Sequence, residues 1–302
     1  MNQVLLRPTQ CAVCRTEGNA SELYPANFDF SDFNRDIFSA RRLPDRIHYR
    51  MVKCNACGLV RSDPVADDAT LGELYRQSTF DYGTEVANLR RTYGRYLGRL
   101  DAFGGGKGSL LEIGCGSGFF LEGAQAQGYA DVRGVEPSAE AVAKASPAMR
   151  AGIVCDMMHP NLFAAASFDV VCLFQVFDHL PDPAGVLAEA HRVLKPGGLV
   201  LILNHNINAL SARLLGERSP IIDLEHTYLY SPTTLARLAG DQGFSTLKTG
   251  AVFNDYTLHY LTRLAPLPGF LKRPLLALLR GTPLGRLQVS VPLGNLYLIA
   301  RA

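Results

Sequence analysis

Short apolar runs alternate with amphipathic segments through the middle and end of the chain. The apolar runs predict strands at residues 109–113, 131–135, 152–155, 168–173 and 199–203, and patterns of helical period predict helices at about 118–127, 138–145 and 183–193. A last pair of strands is expected at 245–252 and 294–301. Strand–helix repetition of this kind predicts an α/β fold, in which a mostly parallel sheet carries helices on both faces.

Changes in composition divide the chain into predicted segments. Residues 1–64 are expected to form a small N-terminal module, 65–103 a helical linker or cap, and 104–302 the sheet domain. The glycine-rich FGGGKG at 103–108 forms a joint before the sheet. A leucine-, proline- and arginine-rich insertion at about 255–292 separates the last two strands. We expect a lid over a binding site or the face of a homodimer there, with a membrane-surface contact as a further alternative.

The overall composition narrows the class of protein. The chain has 302 residues, 47% of them hydrophobic, and a formal net charge of +2, which disfavours a general nucleic-acid binder. The first residues lack the basic region and apolar run of a signal peptide, and no run of about 18 apolar residues occurs. These features predict a cytoplasmic protein without a transmembrane segment.

Four of the seven cysteines form two C-x-x-C pairs, Cys11 with Cys14 and Cys54 with Cys57. In a reducing compartment such pairs are more often metal ligands than disulfides, and two knuckles can present four thiolates tetrahedrally. Gly58 would let the backbone turn closely around the metal. A redox-active C-x-x-C is the alternative, but it would explain only one of the two pairs. We therefore expect a structural zinc in a ribbon-like N-terminal module.

A glycine turn follows the first predicted strand in LLEIGCGSGFF. Gly114, Gly116 and Gly118 are spaced G-x-G-x-G, whereas a dinucleotide site requires a third glycine where Phe119 stands. The turn therefore lets a ligand approach the backbone but is not the pyrophosphate pattern. Glu136 ends the second strand, where a carboxylate can accept both hydroxyls of a ribose. Asp156 ends the third, where it can meet the exocyclic amine of adenine.

Five motifs in register carry a resemblance to a known family. They are LLEIGCGSGFF, VRGVEPS, GIVCDMM, FDVVCLFQVFDHLPDP and RVLKPGGLVLI. On these motifs residues 104–250 and the last strand resemble the class I S-adenosylmethionine-dependent methyltransferases. The resemblance implies a Rossmann-like, seven-stranded, mostly parallel sheet, and it implies S-adenosylmethionine as cofactor.

The resemblance also implies roles for individual residues. Glu112 would support the turn and the amino-acid end of the cofactor, and the three glycines would give it a side-chain-free surface. Glu136 would hold the ribose, Asp156 and the backbone of Met157 would contact the adenine, and Gln175 would face the methionine moiety. A surface acid, a helix cap and a buried structural amide remain the alternatives for Glu136, Asp156 and Gln175.

Methyl transfer needs a base only where the acceptor must lose a proton. Candidates lie on loops at the carboxyl ends of strands: Asp178 and His179, then His205, then Glu225 and His226. We take His226 as the first candidate, ahead of His205, because flanking acid could raise its basicity. His179 is the second catalytic candidate, with a structural role as its alternative. A catalytic metal site of the kind used for catechol acceptors lacks an obvious ligand cluster in the sequence.

The acceptor is constrained mainly by exclusion. No N-P-P-Y sequence occurs, which argues against the amino-methylating DNA enzymes. A C-x-x-C…C-x-x-C-G module ahead of the sheet domain is similar to that of the group containing sugar C-methyltransferases, and this likeness implies a small-molecule acceptor. Arginines between residues 35 and 50 could meet a diphosphate or carboxylate. The alternatives are an RNA methyltransferase that uses the zinc module for recognition, which the near-neutral charge disfavours, and a cofactor-binding protein without catalysis.

Overall fold

A computed structural model of the protein describes residues 5–27, 47–77, 86–265 and 267–302. The strands are β1 (Leu6–Arg7), β2 (Ala20–Tyr24), β3 (Met51–Cys54), β4 (Val60–Ser62), β5 (Val65–Ala66), β6 (Ser109–Ile113), β7 (Asp131–Val135), β8 (Ile153–Val154), β9 (Phe168–Phe174), β10 (Leu194–His205), β11 (Tyr228–Leu229), β12 (Ser245–Ala251), β13 (Asn254–Thr257), β14 (Gln288–Val291) and β15 (Asn295–Arg301). The helices are α1 (Asp68–Gln77), α2 (Val86–Gly98), α3 (Phe119–Ala126), α4 (Ala139–Ala143), α5 (Pro147–Arg150), α6 (Pro183–Val193), α7 (Leu210–Leu215), α8 (Pro232–Asp241), α9 (Leu258–Leu264), α10 (Gly269–Leu279) and α11 (Pro283–Arg286).

A seven-stranded sheet forms the centre of the molecule, with strand order β12-β15-β10-β9-β6-β7-β8. Strands β10, β9, β6, β7 and β8 pair in parallel, and β15 runs antiparallel to its neighbours β10 and β12. The carboxyl ends of the parallel strands therefore meet at one edge of the sheet, where ligands bind in open α/β folds. This architecture confirms the predicted seven-stranded, mostly parallel α/β sheet.

Both faces of the central strands β6, β9, β10 and β15 are buried, and residues from opposite faces of each strand enter different cores. In β9, Val171 and Leu173 belong to one hydrophobic cluster, while Val170 and Cys172 belong to the other. Helices α6 and α8 contribute to the first cluster and helices α2 and α3 to the second. A strand with both faces buried has a continuous apolar sequence, which is why FDVVCLF was recognisable.

The N-terminal residues form a second, four-stranded antiparallel sheet of order β11-β4-β3-β2. Its outer strand β11 comes from the sequence that follows the central sheet's β10, so the two parts of the chain share a sheet. Cys11, Val13, Cys54 and Leu59 also join the same core as α6 and α8. The N-terminal sheet is thereby packed against the central sheet rather than connected to it only by a linker.

The structure confirms the predicted strands, and several of the predicted boundaries agree with the observed ones. Strands β6 and β7 and helix α6 have the expected limits, whereas β10 extends at both ends of the expected 199–203. The 255–292 insertion contains the β13–β14 hairpin and helices α9, α10 and α11. The described residues contain no helix long and apolar enough to cross a bilayer. The arginines at 35, 41, 42 and 46 lie outside the described residues; Arg50 lies within them and pairs with Asp63.

Candidate functional site

The glycine turn connects β6 to α3 in a conformation that requires glycine. Gly114, Gly116 and Gly118 have φ of 75°, 53° and 70°, in the left-handed region that L side chains rarely adopt. A Cβ on Gly114 would lie 2.6 Å from Cγ2 of Val176. The Gly114 amide donates to the carbonyl oxygen of Val135 (2.8 Å), so the turn is joined to the end of β7.

Two buried carboxyl groups lie at this turn. Glu136 accepts hydrogen bonds from the amides of Gly116 and Ser138, each at 2.9 Å, and each of its oxygens keeps further acceptor capacity. Burial raises the pKa of Glu136, against the opposing effect of these two donors. Burial, reinforced by the charge of Glu136, raises the pKa of Glu112 well above its usual range. A cationic ligand at the turn would therefore find two carboxyl groups that gain from a positive charge.

The other residues expected at the cofactor lie at the same sheet edge. Asp156 follows β8, is half-exposed, and accepts the amide of Met157 at 2.7 Å. Gln175 follows β9 with φ of 54°, and its backbone amide donates to the Leu203 carbonyl at 2.8 Å. Among the described residues, Oε1 of Gln175 and Oε2 of Glu112 are buried without a hydrogen-bond partner. These two orphaned oxygens beside a side-chain-free turn fit a polar, cationic ligand such as S-adenosylmethionine.

A second group of side chains surrounds Asp178, which is fully buried after β9. His205, at the end of β10, forms a short hydrogen bond through Nδ1 to Oδ2 of Asp178. His226 Nε2 lies 3.7 Å from the same oxygen, and His179 Nε2 lies 3.6 Å from Oδ1. With its amide group reoriented, Asn204 donates to Oδ1 at 2.8 Å. One carboxylate therefore anchors three imidazoles, which we call the Asp178 cluster.

The charges of this cluster oppose the effect of burial. Burial alone would raise the pKa of Asp178, but His205, His179 and His226 lower it below the usual range of a carboxyl. Burial lowers the pKa of His179 to about 4 and also lowers that of His226, although Asp178 acts in the other direction. The cluster therefore combines an ionised carboxylate with two imidazoles, those of His179 and His226, that resist protonation.

The hydrogen bonds of His226 and His205 differ in whether they leave a ring nitrogen available to a ligand. His226 is buried, and its Nδ1 donates to the Ile221 carbonyl at 2.9 Å. The His205 side chain is 22% exposed, and with Nδ1 bound to Asp178 its Nε2 remains available. This is the arrangement in which a carboxylate fixes the tautomer of a histidine base. Of the three, His205 has the geometry best suited to accept a proton from a ligand.

The N-terminal sheet holds the loop that carries His226. The amides of Thr227 and Tyr228 donate to the Asp178 carbonyl at 2.9 and 3.1 Å. Ser62, in β4, donates its hydroxyl to the His226 carbonyl at 3.0 Å. The Asp178 cluster is therefore built jointly by the central sheet and by the β4–β11 strand pair.

The four cysteines of the N-terminal module converge. The sulfur atoms of Cys11, Cys14, Cys54 and Cys57 all lie within 4.8 Å of one another, and those of Cys11 and Cys57 are 3.5 Å apart. Tetrahedral zinc with Zn–S bonds of about 2.3 Å requires sulfur separations of about 3.8 Å. Gly58, with φ of 77°, closes the second knuckle as expected. The thiol set therefore fits a tetrahedral metal of the zinc type.

Two features of the site were missed from the sequence. Asp178, His179 and His226 each offer a possible ligand atom within 4.8 Å of the others, a convergence that was not evident from the sequence. His226 is distant in sequence from Asp178 and His179 and meets them only because strand ends converge. Tyr75 of α1 also reaches the site, where its hydroxyl donates to the His179 carbonyl at 3.4 Å. No local sequence signal connects α1 with the end of β9.

Comparison with known proteins places this geometry in a family. Residues 86–249, more than half of the chain, match the family described as "Methyltransferase domain". The ubiquinone biosynthesis O-methyltransferase of Thiobacillus denitrificans is 31% identical over 165 residues, covering 50% of this chain and 71% of that protein. The protein of the same name from Paracidovorax citrulli is 28% identical over 215 residues, covering 66% and 89%. These relatives do not support the closer likeness to sugar C-methyltransferases.

The fold has a counterpart among solved structures. A SAM-dependent methyltransferase from Leishmania major superposes with a TM-score of 0.51 at 14% identity, covering 78% of this chain and 82% of that one. At this identity the likeness concerns the fold alone. The family match, the relatives and the glycine turn with its two carboxyl groups agree: the chain belongs to the methyltransferase-domain family and is an S-adenosylmethionine-dependent methyltransferase.

Proposed function

We propose that this enzyme methylates a hydroxyl oxygen of a small-molecule acceptor, namely a sugar, a nucleotide-linked sugar or a secondary metabolite. The observation that carries the proposal is the Asp178 cluster, because Asp178 lies two residues after Val176, whose side chain adjoins Gly114 of the glycine turn. A hydroxyl acceptor must lose a proton during transfer, and a positioned base supplies that step. The names of the O-methyltransferase relatives agree with an oxygen acceptor.

S-adenosylmethionine supplies a methyl group bound to a positively charged sulfur. An acceptor oxygen can attack the methyl carbon in line with the sulfur–carbon bond. In our proposal Gly114, Gly116 and Gly118 form the surface against which the cofactor lies. Glu136 holds the ribose, Asp156 and the Met157 backbone contact the adenine, and Glu112 with Gln175 face the methionine end. The unpartnered buried oxygens of Glu112 and Gln175 support this orientation.

His205 is the proposed base. Its Nδ1–H stays bonded to Asp178, and its Nε2 takes the acceptor proton as the oxygen–carbon bond forms and the sulfur–carbon bond breaks. Asp178 then stabilises the imidazolium, since a buried carboxylate attracts it strongly. His226, which was favoured from the sequence, and His179 are proposed to hold Asp178 and the acceptor in position, because burial keeps both imidazoles neutral.

The proposal is tested by methyl transfer into extract of the native organism. Purified enzyme is supplied with S-adenosylmethionine carrying a ¹³C-labelled methyl group, with and without nuclease treatment, and the extract is fractionated by size. We expect label in the small-metabolite fraction, unaffected by nuclease, with the chemical shift of a methoxy carbon. Label in RNA or protein, or on carbon or nitrogen of a metabolite, would refute the proposal. Wild-type protein heated to inactivation is the blank.

A further inference from the structure

Helix α10 presents its apolar side to solvent. Phe270, Leu271, Pro274, Leu275 and Leu278 recur at helical spacing along one stripe, and all five are exposed. Phe270 is 76% exposed and Leu278 65% exposed. Leu276 is half-buried and Leu279 is buried, so the opposite side of the helix is the one that packs on the protein. This is the inverse of a surface helix in a globular domain, where the apolar stripe faces the core.

The charge around this stripe has a single sign. From residue 256 to the last residue, 302, the sequence contains no aspartate or glutamate. The same insertion carries Arg263, Lys272, Arg273, Arg280 and Arg286. On a helical projection Arg273 and Arg280 flank one side of the apolar stripe of α10, and Lys272 lies beyond its other side. An outward apolar stripe with cations along its margins is typical of helices that lie in a membrane interface.

We infer that α10 docks the protein on an anionic lipid surface, with Phe270, Leu271, Leu275 and Leu278 in the acyl boundary and the flanking cations on lipid phosphates. Charge complementarity favours this occupant over a second copy of the chain. An isologous contact through α10 would bring two acid-free, cationic segments together without a compensating charge. The interface of a bilayer rich in anionic lipids supplies both the apolar phase and the negative charge.

The position of α10 suits this role. Helix α10 packs on α9 and α11, all within the insertion between β12 and β15. That insertion returns to the central sheet at Asn295, which pairs with His205. The insertion that carries the docking surface therefore returns to the central sheet beside His205 of the Asp178 cluster, and the surface uses none of the residues assigned to the cofactor.

The test is co-sedimentation of the full chain with vesicles, which needs no acceptor and no activity. One set contains phosphatidylcholine alone, and the other contains one third phosphatidylglycerol. We expect binding to the anionic set that weakens with salt. Phe270→Ser with Leu278→Ser should lower the partition coefficient more than roughly tenfold. Arg273→Gln with Arg280→Gln should lower it about 25-fold, since each cation near such a surface contributes about fivefold.

The matched control is Leu5→Ser with Leu23→Ser, two exposed leucines of the N-terminal module, which should bind vesicles like the wild type. Because all substituted side chains are exposed, circular dichroism and S-adenosylmethionine affinity should stay unchanged in every variant. The inference is wrong if the wild type does not bind anionic vesicles, or if either α10 variant binds as well as the wild type. It is equally wrong if ultracentrifugation shows a dimer that the serine variant dissociates, without vesicle binding.

Discussion

At the scale of single residues, the site depends on one buried carboxylate. Asp178 has no exposed surface, and a lone ionised carboxyl in such a position would be costly. Its pKa is nevertheless lowered, because the imidazoles of His205, His179 and His226 surround it. Of the three imidazoles, that of His205 is the most exposed, at 22%, which is why we propose it as the proton acceptor.

The assignment of the base can be tested by comparing two histidines. His205→Asn should lower kcat about 100-fold or more, the usual contribution of a general base, and should leave the affinity for S-adenosylmethionine unchanged. His226→Asn should lower kcat less, because its imidazole is buried and donates to the Ile221 carbonyl. Kinetics with the identified acceptor and calorimetry of cofactor binding give both quantities. A larger loss of kcat in His226→Asn would restore His226 as the base.

The glycine turn permits a matched comparison of two glycines. Gly114 and Gly104 have nearly equal φ, 75° and 74°, but only Gly114 has a neighbour that a Cβ would strike. Alanine at either position incurs about 1–2 kcal/mol of left-handed strain. In Gly114→Ala the added methyl group would also clash with Val176, so the free energy of unfolding should fall further. The affinity for S-adenosylmethionine should fall as well. Urea unfolding and calorimetry measure the two effects; equal behaviour of the two variants would contradict the close packing at the turn.

The histidines of the Asp178 cluster should make stability depend on pH. The pKa of His179 is about 4 in the folded protein against 6.5 for an unperturbed histidine. Between these values the unfolded chain binds a proton that the folded chain does not, so the free energy of unfolding decreases as pH falls from 6.5 to about 4. The loss should reach roughly 3 kcal/mol. Urea unfolding gives the free energy of unfolding at each pH in this range. Its slope against pH should be shallower for His179→Gln than for the wild type, and identical slopes would refute the assignment.

At the scale of elements, α8 shows how a local signal fixes a helix next to the site. Its N-terminus is a capping box, in which Thr234 donates its amide to the Ser231 hydroxyl and accepts the Ser231 amide. Ser231→Ala should therefore lower the free energy of unfolding by about 1 kcal/mol. The exposed Ser245→Ala, at the start of β12, is the control and should have little effect. Thermal or urea unfolding reports both, and an unchanged Ser231→Ala protein would argue against the cap.

The elements that were predictable from sequence are those whose pattern is local. Strands β6 and β9 are short, mostly apolar runs next to turn residues, and α6 has its cap and proline in place at Asp182 and Pro183. The pairing of β11 with β4 has no such signal, because it joins residues separated by most of the chain. For the same reason the sequence supplied the histidines of the site individually but not their convergence on Asp178.

At the scale of the whole molecule, the cysteine cluster and the Asp178 cluster are joined through paired strands and a shared hydrophobic core. The knuckle of Cys54 and Cys57 lies between β3 and β4, and β4 holds β11 and the His226 loop. Cys11 and Cys54 also share a core with residues of α6 and α8. Loss of a structural metal should therefore disturb the acceptor side of the site, while the glycine turn, which is held by the bond from Gly114 to the Val135 carbonyl, should keep its shape.

Metal removal tests this connection with two separate readings. We expect one zinc per chain by elemental analysis, and its loss in Cys54→Ser should lower the melting temperature, because structural zinc contributes folding free energy. Methyl transfer should fall more than roughly tenfold, whereas the affinity for S-adenosylmethionine should change about twofold at most. The exposed Cys155→Ser is the control and should retain metal, stability and activity. A metal-free wild type with full activity would show that the four thiols act without a metal, and an equal loss of cofactor affinity would show that the two sides of the site are not separable.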